Sequence, residues 1–149
     1  MMNNKSKEQI LSSIHDILSE FEESTKQYLN GFDIDSAFSF SDDEEIRKKH
    51  LRAYNKFSAT LKKNIEKCEL EAAHLSALIF KADTARDKEL AESLVEHFNR
   101  YIQFSLSVSG FIKSTEKILL NKESRFRPSS IASLTRELLA AIQNYKENI

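Results

Sequence analysis

Hydrophobic residues recur at steps of three and four along most of the chain, which is the spacing of an amphipathic helix. The first such run extends from about residue 6 to residue 30. Ser6 and Gln9 stand at its start, where their side chains and backbone amides are suited to form a capping box. Gly31 follows the run, at the place where a helix commonly ends in the left-handed conformation. The pattern therefore predicts a first helix with both ends marked.

The longest hydrophobic run begins near Ile46 and keeps the same rhythm to about Asp83, which predicts a second helix of about 40 residues. Asp83 or Thr84 is suited to cap a third helix that ends near Asn121. The small residues of 105–110 have weak helix propensity, so we expect a kink or a close helix contact there. Two long helices joined by a short turn predict an antiparallel hairpin.

A fourth, shorter run starts at Pro128, a residue that fits the first turn of a helix, with Ser129 and Ser130 as alternative caps. An acidic connection, residues 32–45, joins the first two helices, and its alternating aromatic residues predict an extended segment whose rings dock on the other helices. A basic link, residues 122–128, joins the last two helices.

Composition favours the same fold. The 149 residues make about one domain, and two glycines and one proline are too few for the turns of a β protein. With a net charge of −1, no global field attracts nucleic acid. The sequence predicts one all-α domain over residues 1–149, an antiparallel bundle of about four helices with a long central hairpin. One cysteine, Cys68, and no apolar segment of membrane-spanning length lead us to expect a cytoplasmic protein.

The first and fourth helices are too short to cover the whole hairpin, and residues 68–98 are expected to stand as two helices alone. This segment is more apolar than one seam between two helices can bury. It can be covered by a second copy in an antiparallel homodimer or by another protein, or the second helix folds back. Alternatively, that helix ends early in a compact four-helix bundle. The predicted contact surface consists of Leu70, Leu75, Leu78, Ile79, Phe80, Leu90, Leu94 and Val95.

These features favour a non-enzymatic interaction protein, such as an adaptor, chaperone, inhibitor or complex subunit, that associates by coiled-coil packing. No glycine-rich phosphate loop or nucleophile elbow is present, and Cys68 falls on an apolar helix stripe. We expect no cofactor and no membrane partner. Glu71 and His74 have the E-x-x-H spacing of di-iron bundles, but the further ligands of such a site are missing. Residues 33–44 have the length of an EF-hand loop but lack its fifth ligand and its glycine, so no metal is expected.

The alternative function is association with nucleic acid through the basic segment 113–127, where Phe126 is suited to stack on a base. A helix N-terminus follows this segment, and its backbone donors and dipole favour an anion. Neighbouring acidic residues oppose this function, so the interaction protein is preferred. The candidate anion-binding residues are Lys122, Arg125, Arg127, Ser129 and Ser130.

Overall fold

The computed structural model describes residues 5–32, 44–121 and 127–149, and these contain four α-helices and no strand. The helices are α1 (Lys7–Asn30), α2 (Glu44–Thr84), α3 (Lys88–Leu120) and α4 (Pro128–Glu147). Each helix packs along two others, in the closed order α1, α2, α3, α4. The predicted all-α bundle with a long central hairpin is confirmed.

The start of α1 is capped as predicted. The Ser6 hydroxyl accepts a hydrogen bond from the backbone N–H of Gln9 at 3.2 Å, and Gln9 Oε1 accepts one from the backbone of Ser6 at 2.9 Å. The prediction for the other end is wrong, because Gly31 has φ of −63° and is right-handed. Its N–H donates to the Tyr28 carbonyl, so α1 ends in a tighter last turn instead of a left-handed cap.

Phe32, the first residue of the predicted acidic connection, is buried beside α2. Its ring stacks on the ring of His50, with the centroids 5.2 Å apart. Docking is therefore confirmed for this aromatic side chain. Residues 33–43, with Phe38, Phe40 and the loop of EF-hand length, lie outside the described residues.

The hairpin turn between α2 and α3 differs from the prediction. The N–H of Asp87 donates to the Ala82 carbonyl, and the N–H of Arg86 donates to the carbonyl of the next residue, Asp83. These two bonds form a Schellman motif, with Arg86 at φ 60° in the left-handed position that usually belongs to glycine. Asp87 caps α3 through its carboxylate. The predicted caps, Asp83 and Thr84, are still part of α2.

Pro128 opens α4 as predicted, but neither serine caps it. The N-cap is Arg127, without a hydrogen bond from its side chain, and Ser129 and Ser130 are already helical. α3 passes through residues 105–110 as one helix. A Cβ on Gly110 would meet nothing within 4 Å, so the close helix contact expected in this stretch is absent at that glycine. Residues 122–126 of the basic link lie outside the described part of the chain.

The four helices form two layers, the α2–α3 hairpin and the pair of α1 with α4. The Tyr28 ring stacks on Phe57 at 4.4 Å, and Lys5 contacts Glu71, so α1 runs antiparallel to α2. The rings of Phe104 and Tyr145 lie 4.9 Å apart and join α3 to α4. The side chains between the layers are buried on all four helices, and the largest of them are Phe21, Ile10, Ile14, Leu18, Leu61, Leu75, Leu94, Leu119, Ile131, Leu138 and Ile142.

The beginning of α1 reaches further along the hairpin than its length suggests. Lys5 Nζ lies 2.7 Å from Glu71 Oε1, and Lys7 Nζ lies 2.6 Å from Ser93 Oγ. Cys68 is fully buried within the four-helix part. The prediction that residues 68–98 stand as two helices alone is therefore wrong. Within the described ranges, the hairpin tip, residues 77–91, lies beyond these contacts.

Candidate protein-interaction surface

The structure divides the predicted contact surface into core and surface residues. The prediction that Leu75 and Leu94 contact a partner is wrong. Both side chains are fully buried between the layers and cannot meet a partner in the folded protein. Two more side chains are half-buried against the core, and four are exposed. The half-buried ones are Leu78 and Ile79, and the exposed ones are Leu70, Phe80, Leu90 and Val95.

Three further large apolar side chains are exposed that the sequence reasoning did not assign to the surface, namely Ile102, Leu106 and Leu120. With the four above they make seven exposed large hydrophobic residues among those described, and all seven belong to α2 or α3. The most exposed are Phe80 at 73% and Leu106 at 68%. The hairpin thus exposes large apolar side chains, whereas α1 and α4 expose none among the described residues.

On each hairpin helix the exposed apolar residues follow a heptad spacing. The α2 stripe is Leu70, Ala73, Ala77 and Phe80, at steps of three, four and three, and all four side chains are exposed. The α3 stripe is Val95, Asn99, Ile102 and Leu106, at steps of four, three and four, again all exposed. Alternation of three and four is the pattern by which helices pack in coiled coils. Both helices therefore carry a second seam besides the one that faces the core.

Both stripes point away from the α1 and α4 layer. In α2, Cys68 and Ala72 are buried, and Leu70 between them is 59% exposed. In α3, Phe104 and Val108 are buried on either side of Leu106. Two residues turn a helix by about 200°, so a residue midway between two core residues faces outward. The α2 stripe and the α3 stripe thus each point away from the centre of the bundle, on neighbouring helices, and together we call them the outer face.

Helix α2 is basic toward its start and weakly acidic toward the tip. Residues 44–63 contain seven Lys or Arg and two Glu, whereas residues 64–84 contain two Lys and four acidic residues, one of which, Glu71, is buried against Lys5 and does not lie on the outer face. On α3, Glu92 precedes the stripe and Lys113 follows it, each on the exposed side of the helix. A long apolar patch therefore lies between charges of opposite sign.

The predicted anion site is only partly described. Ser129 and Ser130 border a shallow depression of about 550 Å³ that Lys117 of α3 also lines, at the start of α4. Arg127, the N-cap of α4, is exposed and does not line the depression. Lys122 and Arg125 lie outside the described residues. The structure thus brings one basic side chain of α3 to the two serines.

Glu71 and His74 do come together, but in a contact with a lysine. His74 Nδ1 lies 3.4 Å from Glu71 Oε2, and the other Glu71 oxygen accepts from Lys5. The Lys5 ammonium thus binds the Glu71 carboxylate, which a metal ion at this position would need as a ligand. Among the described residues, no three His, Cys, Asp or Glu side chains are grouped closely enough to hold a metal ion.

Cys68 is an unreactive thiol. Burial raises its pKa to about 12, and the nearby charges of Glu71 and Glu69 act in the same direction. Since the thiolate is the nucleophile, a thiol that stays protonated at neutral pH is unsuited to covalent catalysis. Burial also raises the pKa values of Tyr28 and Tyr145 above the ordinary range of a phenol.

None of the helices in the described ranges has the length and apolar content needed to cross a lipid bilayer. Comparison of the chain with models of protein families, with curated protein sequences and with solved structures finds no match.

Proposed function

We propose that this chain is a non-enzymatic, cytoplasmic protein-interaction module that binds its partner through the outer face of the α2–α3 hairpin. One observation carries the proposal: every large apolar side chain that is exposed in the described residues belongs to the hairpin, and most of them fall on two heptad stripes. Contiguous exposed apolar surface of this kind marks interaction sites in folded proteins.

The proposed mechanism is coiled-coil packing of partner helices against the two stripes. Each large side chain would fill a hole between side chains of the partner, while the exposed Ala73 and Ala77 allow a helix to approach α2 closely. Full burial of a Leu or Phe side chain is worth about 1.5–3 kcal/mol. Phe80 and Leu106 have the most surface to bury and should contribute most to binding.

Photo-crosslinking in cells of the native host tests this function. A benzophenone amino acid replaces Phe80 in one variant and Leu106 in another, and an exposed α4 residue, Arg136, in the matched control. We expect discrete protein adducts from the two outer-face positions and none from the control. Absence of adducts at both Phe80 and Leu106 would refute the proposed function.

A second candidate function, binding of phosphate-rich polymers such as nucleic acid, is favoured by the depression that Lys117, Ser129 and Ser130 line at the start of α4. This function predicts binding of single-stranded DNA that weakens steeply with salt. Replacement of Arg125 and Arg127 by Ala should reduce that binding, and Arg136→Ala serves as the control. No binding at low salt would exclude the candidate.

A further inference from the structure

Resting on the proposed function, we propose that the outer face binds a second copy of this chain, with the two hairpins antiparallel and related by a twofold axis across their middle. Three observations support this arrangement: the heights of the two stripes, the distribution of charge, and a small exposed residue opposite the largest one.

The heights of the stripes follow from contacts within the hairpin. Tyr54 Oη donates to Glu116 Oε2 at 2.9 Å, and Arg47 Nη1 donates to the Asn121 carbonyl at 2.8 Å. Counting the same number of residues along the two antiparallel helices from either contact places Leu70 level with residues 98–100. The middle of the α3 stripe is therefore at the height of Leu70, and one axis at that height serves both helices.

On α3, an axis between Asn99 and Ile102 places Leu106 of one copy opposite Val95 of the other, and the pair occurs twice. The same axis places Asn99 opposite Ile102 of the second copy. Because Asn99 then faces an apolar side chain, its amide must keep its hydrogen bonds to water at the edge of the seam. The α3 stripe thus complements itself when the second copy runs antiparallel.

On α2, the same axis places Phe80 opposite Ala59 of the second copy, because Leu70 lies midway between them. Ala59 is exposed and stands three heptads before Phe80 on the same side of α2. A small residue leaves room for the phenyl ring, which is 73% exposed in the single chain. The same axis sets Ala73 opposite Glu66 and Ala77 opposite Lys62, so the apolar contacts of α2 are those of Leu70 and Phe80.

Charge also selects the antiparallel arrangement. The acidic tip half of one hairpin would lie against the basic half of the other, and Glu92 would come within about one helical turn of Lys113 of the second copy. A parallel arrangement would place the basic halves together. The contact from Ala59 to Phe80 would be about 32 Å long, and two helices are about 20 Å wide, so the contact would cover at most about 600 Å² per copy. A total of about 1,200 Å² is at the lower limit for specific interfaces.

Light scattering after size-exclusion chromatography tests whether the partner is a second copy. The purified chain is measured at concentrations from 100 µM to 1 µM. We expect twice the 17.2 kDa of one chain at the higher concentration. Leu106→Glu should weaken self-association at least 100-fold, and Leu120→Glu, a matched change outside the stripe at similar exposure, should not. Circular dichroism checks that both variants fold, and Leu106→Gln repeats the test if the first variant does not.

Disulfide trapping tests the direction. In a Cys68→Ala background, a mixture of Val95→Cys and Leu106→Cys chains should form a mixed disulfide dimer, and neither variant alone should cross-link. Bridging of Val95→Cys chains with each other would refute the antiparallel arrangement.

A chain that is monomeric at 100 µM, or a dimer that Leu106→Glu leaves intact, would overturn the second copy as partner. Either result leaves the proposed function standing if Phe80 and Leu106 still cross-link to other proteins in cells. Failure of the proposed function is a different result, in which neither position gives any adduct.

Discussion

Burial decides the chemistry of individual side chains in this protein, and Cys68 shows it most directly. Its pKa of about 12 reflects loss of water around the thiol, to which the charges of Glu71 and Glu69 add. We expect the native protein to react with a thiol reagent such as iodoacetamide at most at the rate of its unfolding, and the urea-unfolded chain to react at once. Fast alkylation of the folded chain would mean that the core opens around Cys68.

His97 gives the folded state a pH dependence. Burial lowers its pKa below the ordinary 6.5, and the neighbouring charges of Lys7 and Arg100 lower it further, while Glu96 opposes them. As pH falls from about 6.5 toward this lowered pKa, the unfolded chain binds a proton that the folded chain does not, so stability decreases.

His97→Gln should therefore reduce the slope of unfolding free energy against pH in this window, as measured by urea denaturation from pH 7.5 to pH 5. His15→Gln, which removes an exposed histidine from α1, is the matched control for the loss of one histidine. An unchanged slope in the His97 variant would show that other groups dominate the acid dependence.

At the scale of the element, the sequence determines the helices by local signals. The Ser6 cap, the first-turn Pro128 and the uninterrupted period of α2 each act within a few residues, which is why they were predictable. The hairpin turn was missed because Arg86 takes a left-handed conformation without the glycine that would signal it.

The extent to which α1 covers the hairpin was not predictable by the same means. Leu75 continues the buried period of Cys68 and Ala72, so the pattern of α2 separates it from Leu70. The reach of α1 along the hairpin, marked by Lys5 on Glu71, depends on packing between helices. The exposure of Ile102 and Leu106 was not predicted. The core-facing and outward-facing apolar residues of α3 alternate closely along the sequence, so their pattern does not separate the two seams. Contacts between helices, distant in sequence, carry this information.

Gly110 permits a test of helix propensity within α3. Gly is less favourable than Ala in a helix interior by about 1 kcal/mol, and a Cβ on Gly110 would meet open space. Gly110→Ala should raise the free energy of unfolding in urea by about 0.5–1 kcal/mol. Gly31→Ala is the matched control: its Cβ would lie 3.3 Å from the Tyr28 carbonyl, so we expect little or no gain. A loss of stability in Gly110→Ala would show that this part of α3 is closely packed.

At the scale of the whole molecule, the unequal lengths of the helices leave stability unevenly distributed along the hairpin. Around Leu61 the hairpin is covered by a second layer, whereas the hairpin tip, residues 77–91, lies beyond the contacts of Lys5 and Lys7. Segments with few buried apolar contacts open by local unfolding more readily than the core. The tip should therefore open independently of the four-helix part.

Native-state hydrogen exchange at low protein concentration measures this difference. Both groups of amides to be compared belong to α2, so the comparison is made within one helix. We expect the amides of residues 77–84 to exchange on the order of tenfold faster than those of 54–64, because the first group opens without separating the two layers and the second does not. Raising the concentration should slow exchange in 77–84 if a second copy covers Phe80. Equal protection throughout α2 at every concentration would mean that the hairpin and the second layer unfold as one cooperative unit, with the tip held as firmly as the core.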